Sequence, residues 1–278
     1  MRQRTMGAKG PMAWRDRRLL MTGQQMSDSF VDMLLMTDPE ILRRIKLPPW
    51  FLVVYDREDQ AALNETERER FLCAYETLIG NGTLGQLVKI HGETHYQHGS
   101  QRFLPWHRVY LIMLEHALQG VHPDVSIPYW DWTNPGEETF PAWLAAVTPT
   151  VAMPSPMSPI TVTRSPGTTA DLATLASNIP TVMANTAFAS FTSSLEAVHG
   201  GVHVWVGGTM SMIPTAPSDP IFWMHHANID RLWWQWQQAH PGKNPTLTGS
   251  GPTSPVMDPW STTEPQTRDI TAMGYTYV

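Results

Sequence analysis

Eleven histidines hold most of the chemistry open to this chain, and they fall into two groups. His91, His95, His98, His107, His116 and His122 form the first, and His199, His203, His225, His226 and His240 the second. His199 and His203 stand four apart in "VHGGVHVW". On a helix that spacing puts both imidazoles on one face about a turn apart, as a shared metal ion requires. His226 then arrives from the next helical segment as a third donor. In the first group a helix-borne His91, a loop-borne His98 and a helix-borne His107 make an equivalent trio, with His95 as the alternative first member.

Three neutral imidazoles, with no thiolate and few acids nearby, suit copper, zinc or iron. A zinc protease is disfavoured, because Gly-Gly-Val fills the space between His199 and His203 where an HExxH helix keeps its glutamate base. A carboxylate-bridged di-iron centre is disfavoured as well, on the expectation that neither cluster carries a Glu-x-x-His pair. Two all-imidazole ions facing one another suit the binding of dioxygen between them. A single histidine on an apolar face is more often a hydrogen-bonded core residue, and His116, His122, His225 and His240 are assigned to that role.

Composition narrows the field further. One cysteine, Cys73, excludes an internal disulfide framework, a four-thiolate zinc site and an iron–sulfur cluster. A net charge of −6 provides no basic field for a polyanion, so no nucleic-acid partner is expected. The chain has no apolar run long enough to cross a membrane. Its basic N-terminus is followed by a segment broken by Gly23, Gln24, Gln25, Ser27 and Asp28, too polar for a signal peptide. A cytoplasmic location is therefore expected.

The elements that must carry the histidines read as mostly helical. Ser27 to about Lys46 suits one or two short helices ended by Pro48–Pro49, and "WFLVVYD" a short strand. Asn64 caps a helix that runs through Phe71, Leu72, Tyr75 and Leu78, where Cys73 is expected to be buried. A second helix runs from Thr83 to about His91. A third starts near Pro105 and ends at Gly120, with His107, Tyr110, Leu111, Leu114 and Leu118 on one face. Residues 134 to about 180 show no period and read as long loop. Helical pattern returns at 191–203 and 219–240.

Four stretches then resemble one family: "HGSQRFLPWHRVYLIMLEHALQ" (98–119), "IPYWDW" (127–132), "HGGVHVWVGG" (199–208) and "DPIFWMHHANIDRLW" (219–233). They are similar to the type-3 copper proteins, which comprise tyrosinases, catechol oxidases and mollusc-type haemocyanins, and most of all to the short bacterial-type enzymes. The resemblance covers roughly residues 56–278. It implies a mainly α fold, a tyrosinase-like four-helix bundle around a dicopper site, with long loops and few short strands. It implies two copper ions per chain, one on His91, His98 and His107, the other on His199, His203 and His226. The gap from His91 to His98 is shorter than the family's usual one, which keeps His95 in view. Asp230 resembles an acid that orients a ligand imidazole, and Glu196 a glutamate that holds a water near the copper. Arg108 and Arg231 are expected in structural ion pairs, and Tyr275-x-Tyr277 resembles the motif that closes the catalytic core.

The departures from the family also have consequences. Cys73 is too far from the ligands for the thioether that some members form. Gly200 stands where many tyrosinases have asparagine, which marks it as an activity-controlling position. Residues 1–55 form an N-terminal extension, a cover over the core or an oligomer contact, ahead of a catalytic domain spanning 56–278. The implied activity is oxidation of o-diphenols, or o-aminophenols, to o-quinones with O2, with weaker ortho-hydroxylation of monophenols. The rival is a haemocyanin-type oxygen carrier without turnover. The implied partners are a small phenolic substrate and O2, no nucleic acid and no membrane, with a homo-oligomer and a copper chaperone as further partners to look for.

Overall fold

The computed structural model describes residues 17–21 and 51–278. The expected helices between Ser27 and Lys46 lie outside the described residues. Seven α-helices are described: α1 Glu65–Gly80, α2 Thr83–Glu93, α3 Phe103–Val121, α4 Thr169–Ala176, α5 Ile179–Met183, α6 Phe188–Val206 and α7 Pro220–Ala239. β1 (Arg17–Met21) pairs antiparallel with β2 (Phe51–Arg57), and β2 pairs parallel with β5 (Tyr275–Tyr277). β3 (Thr150–Val151) and β4 (Ile160–Thr161) form a separate small ribbon. No helix among the described residues is long and apolar enough to cross a membrane.

The local sequence explains most of these limits. Asn64 and Glu67 close a reciprocal capping box at the start of α1, and Phe71, Ala74, Tyr75 and Leu78 form its buried face. Cys73 lies on the opposite face and is exposed, contrary to the sequence expectation, because the buried residues of α1 all lie on the other side of the helix. α3 starts two residues before Pro105, which occupies the first turn, where its missing N–H leaves no bond unmade. Gly120 lies inside α3 and does not stop it; His122, in extended conformation, follows the last turn. The stretch expected to be pure loop contains the β3–β4 ribbon and α4, opened by a capping box between Thr168 and Asp171, and the five-residue α5 begins at its end. α4 was hidden because so short a helix shows hardly more than one period of apolar residues.

α2, α3, α6 and α7 form the four-helix bundle. Thirteen of the nineteen residues of α3 are buried, so this helix is the central post. A buried ionic knot fastens it to the sheet and to α7. Arg57 of β2 donates to both carboxylate oxygens of Glu115, at 3.0 and 2.9 Å, and Arg108 donates to Asp230 at 2.5 Å. The phenols of Tyr275 and Tyr277 each donate to Asp230 Oδ2 at 2.6 Å. Charges this deep are tolerable only when paired and hydrogen-bonded, as all of these are.

Candidate dinuclear metal site

The two histidine trios come together as two compact clusters. In each, the donor atoms lie within 4.8 Å of one another. α2 carries His91, the turn before α3 carries His98, and α3 carries His107. His199 and His203 share a face of α6, and His226 projects from α7. His95 lies in the short turn 95–97, and its side chain is outside the described residues.

Backbone carbonyls set the ring chemistry. His91 Nδ1 faces Ile213 O at 2.9 Å, His107 Nδ1 faces Phe103 O at 2.8 Å, and His203 Nδ1 faces Met210 O at 2.8 Å. A carbonyl can only accept, so each Nδ1 carries the proton, and the neutral ring presents the Nε2 lone pair inward. His91 and His107 therefore aim two lone pairs at each other across 3.4 Å. Two acceptors so placed repel unless a cation lies between them. In the second trio His203 Nε2 lies 2.9 Å from His199 Nε2 and 3.3 Å from His226 Nε2. A first-row metal with metal–nitrogen bonds near 2.0–2.1 Å holds neighbouring tetrahedral donors about 3.3 Å apart. Spacing, tautomer and the all-imidazole donor set thus fit two metal ions.

Electrostatics agree with geometry. Burial first, then the neighbouring imidazoles, pushes His107, His199 and His226 well below the ordinary histidine range. Burial alone pulls His203 down to about 4, against the small upward pull of its bond to Met210. All four are neutral ligands at physiological pH. Phe103 and Phe222 wall the clusters, with ring centroids 4.9 Å from His199 and 4.1 Å from His226 respectively.

The supporting residues divide differently from expectation. Glu196 and His199 do have the Glu-x-x-His spacing of a carboxylate-bridged di-iron site. The Glu196 carboxylate, however, accepts the backbone N–H of Gly99 at 2.7 Å and is not part of the donor cluster. It is half-buried beside the first trio, and burial raises its carboxyl to about 6 despite that bond. A Cβ at Gly200 would meet nothing within 4 Å. Asp230 does not orient an imidazole: its partners are Arg57, Arg108, Tyr275 and Tyr277. Its position one turn after His226 is right, but Asp230 faces the two buried guanidinium groups. Arg108 pairs with Asp230 and Arg231 with Asp131, as the expected structural ion pairs.

Of the four bystanders, His225 is fully buried; its Nδ1 accepts the indole N–H of Trp132 at 3.0 Å, and its ring stacks on His199. His240 Nδ1 bonds Trp236 O, whereas His116 is exposed and is no core residue. Sequence reasoning missed the carbonyls of Met210 and Ile213. The one signal for them is the Gly207–Gly208 pair just after His203, which announces a tight turn back over the site.

A helical bundle with two facing all-histidine trios defines a dinuclear copper protein of the type-3 class. Comparison with known proteins gives the family. A family model described as the common central domain of tyrosinase matches residues 81–169 and 153–239. The chain is 33% identical to the tyrosinase of Streptomyces glaucescens, across 75% of this chain and 93% of that protein. It is 31% identical to the A-type haemocyanin units of Enteroctopus dofleini, but over only 51% of this chain and 13% of that protein. Among solved structures, the tyrosinase of Burkholderia thailandensis superposes with a TM-score of 0.68 at 19% identity, covering 80% of this chain and 73% of that one. The chain belongs to the tyrosinase family and is a tyrosinase-type oxidoreductase with a dicopper cofactor.

Proposed function

We propose that this protein oxidises o-diphenols, and o-aminophenols, with O2 to o-quinone products, and hydroxylates monophenols more slowly. In this reading His91, His98 and His107 hold one copper, and His199, His203 and His226 the other. When bound, the copper pair supplies dioxygen activation and accepts two electrons from each diphenol, so that two diphenols reduce one O2 to two waters. The observation that carries the reading is the face-to-face placement of the trios, His107 and His226 stacking at 4.4 Å with planes 15° apart.

The chain's own residues have three tasks. Burial keeps the imidazoles neutral, the carbonyl bonds aim them, and Phe103 and Phe222 exclude water beside them. Monophenol hydroxylation further requires that the phenol lose its proton first. Glu196, with its carboxyl near 6, is ionised at neutral pH and is the base nearest the first trio on α6. An asparagine that could share a water with it is missing, because Gly200 has no side chain. Hydroxylation is weaker for that reason.

Initial rates of the copper-loaded protein on L-tyrosine and L-DOPA test this: the DOPA rate exceeds the tyrosine rate, and a tyrosine rate equal to it without a lag overturns the proposal. The likeness to octopus haemocyanin favours a second reading, a reversible oxygen carrier. The likeness to streptomycete tyrosinases over nearly their whole length supports the enzyme. Sustained DOPA turnover decides against the carrier. Residues 56–278 are proposed as the catalytic domain and 1–55 as an extension that covers it or joins two copies.

A further inference from the structure

The chain between α6 and α7 touches both metal clusters through its backbone. Met210 O holds His203 of the second trio, and three residues on, Ile213 O holds His91 of the first. One short segment therefore fixes the tautomer of one ligand on each side. It also lies directly on α2, where a Cβ at Gly92 would sit 3.3 Å from Pro214 Cα.

This segment is itself anchored from outside. Gly207 and Gly208 have φ of 71° and 55°, left-handed values that favour glycine. A Cβ on either would collide with the strand of chain beneath, at Ser165 Oγ or at the carbonyl of Thr163. Thr209 donates to Thr163 O from its backbone N–H at 2.9 Å and from its hydroxyl at 3.0 Å. Ser165 N–H donates to Val206 O at 2.9 Å. Between these contacts Arg164 reaches Asp219, the N-cap of α7, at 2.6 and 2.8 Å, and donates to Leu144 O and Val147 O.

We propose that residues 207–213, clamped by 163–165, form a positioning strap that sets one ligand of each metal ion, so that loosening one point of it weakens both sites together. The inference rests on the dicopper reading. The Cβ position of Gly208 and the hydroxyl of Thr209 face Thr163; they act through Met210 and Ile213. Partners that orient a ligand imidazole typically change metal affinity about 10–100-fold when lost.

The test is equilibrium binding of Co2+ to the metal-free full-length chain, followed by the visible absorption of the bound ion, with circular dichroism to check folding. Gly208→Ala is expected to weaken both binding steps at least about tenfold. Thr209→Val, which only removes the hydroxyl bonds to Thr163, gives the same paired loss on a smaller scale and serves if Gly208→Ala does not fold. Leu78→Ala, a core truncation in α1, controls for general destabilisation and leaves both affinities unchanged. The strap is overturned if Thr209→Val or Gly208→Ala weakens one step only or neither, or if Leu78→Ala matches their loss. Wild-type protein that fails to bind two ions sinks the dicopper reading itself, a separate result.

Discussion

His107 and His226, one from each trio, lie as nearly parallel rings with centroids 4.4 Å apart. They are the closest meeting of the two clusters, and each stands on a long helix buried along most of its length, α3 and α7. Removing either ring deletes one donor from one ion without opening the bundle. His107→Ala and His226→Ala are each expected to reduce bound copper from about two per chain to about one, the general pattern when a three-imidazole site loses a ligand. Metal analysis after gel filtration reads this directly, and full retention of two ions by either variant contradicts the assignment.

The lowered histidine values predict how the metal-free protein responds to acid. Each of these groups binds its proton more weakly folded than unfolded, where the ordinary value is about 6.5. As pH falls below about 6.5 the unfolded chain takes up protons that the folded chain refuses. Stability is thus unaffected by these groups above that pH and drops as pH falls toward about 4, the value for His203. Urea midpoints of the apo protein should fall steadily between pH 7 and pH 4.5. The same shift implies that protons compete poorly for the donors, so copper should survive gel filtration at a pH where free imidazole is mostly charged.

Gly200 offers room for a side chain, since a Cβ there meets nothing within 4 Å. Gly200→Asn should fold at least as well as wild type, because glycine inside a helix costs up to about 1 kcal/mol. It should also raise the ratio of L-tyrosine to L-DOPA initial rates. In that variant the tyrosine rate should increase as pH rises through about 6, where Glu196 loses its proton, and Glu196→Gln should abolish the increase. A tyrosine rate indifferent to both substitutions removes Glu196 and Gly200 from the reaction.

Asp230 pairs with the buried Arg108, lies 3.4 Å from Arg57, and accepts two phenol hydroxyls. Asp230→Ala leaves Arg108 without its buried counter-ion, while Arg57 keeps Glu115, and breaking a buried pair from one side typically costs about 3–5 kcal/mol. Chemical denaturation of the copper-free protein measures it. A loss under about 1 kcal/mol would mean that Glu115 and the tyrosines carry the knot without it.

The four-residue spacing of His199 and His203 made one helix face of the donor set legible, and the resemblance to the type-3 copper proteins supplied the rest. The helix carrying Asn64, Phe71 and Tyr75 was equally plain from its cap and its period. What escaped depends on which way a side chain faces, or on backbone atoms that every residue possesses. Cys73 was expected inside, yet its helix buries only the opposite face. Asp230 has the right spacing for an imidazole partner and turns instead to two arginines that come from β2 and α3. The carbonyls of Met210 and Ile213 have no letter in a sequence; only the two glycines before them hint that the chain folds back there.

The parallel pairing of β2 with β5 bears on how the protein is made. Arg57 and Tyr277, 220 positions apart, meet in the same buried knot. While a ribosome is still short of residue 275, the carboxylate of Asp230 lacks both of its phenol donors and the sheet lacks its third strand. Until then the bundle that aims His107 and His226 is not fully braced, and contacts of such separation form slowly. The site aimed by that bundle is fully held only once Tyr275–Tyr277 has joined β2.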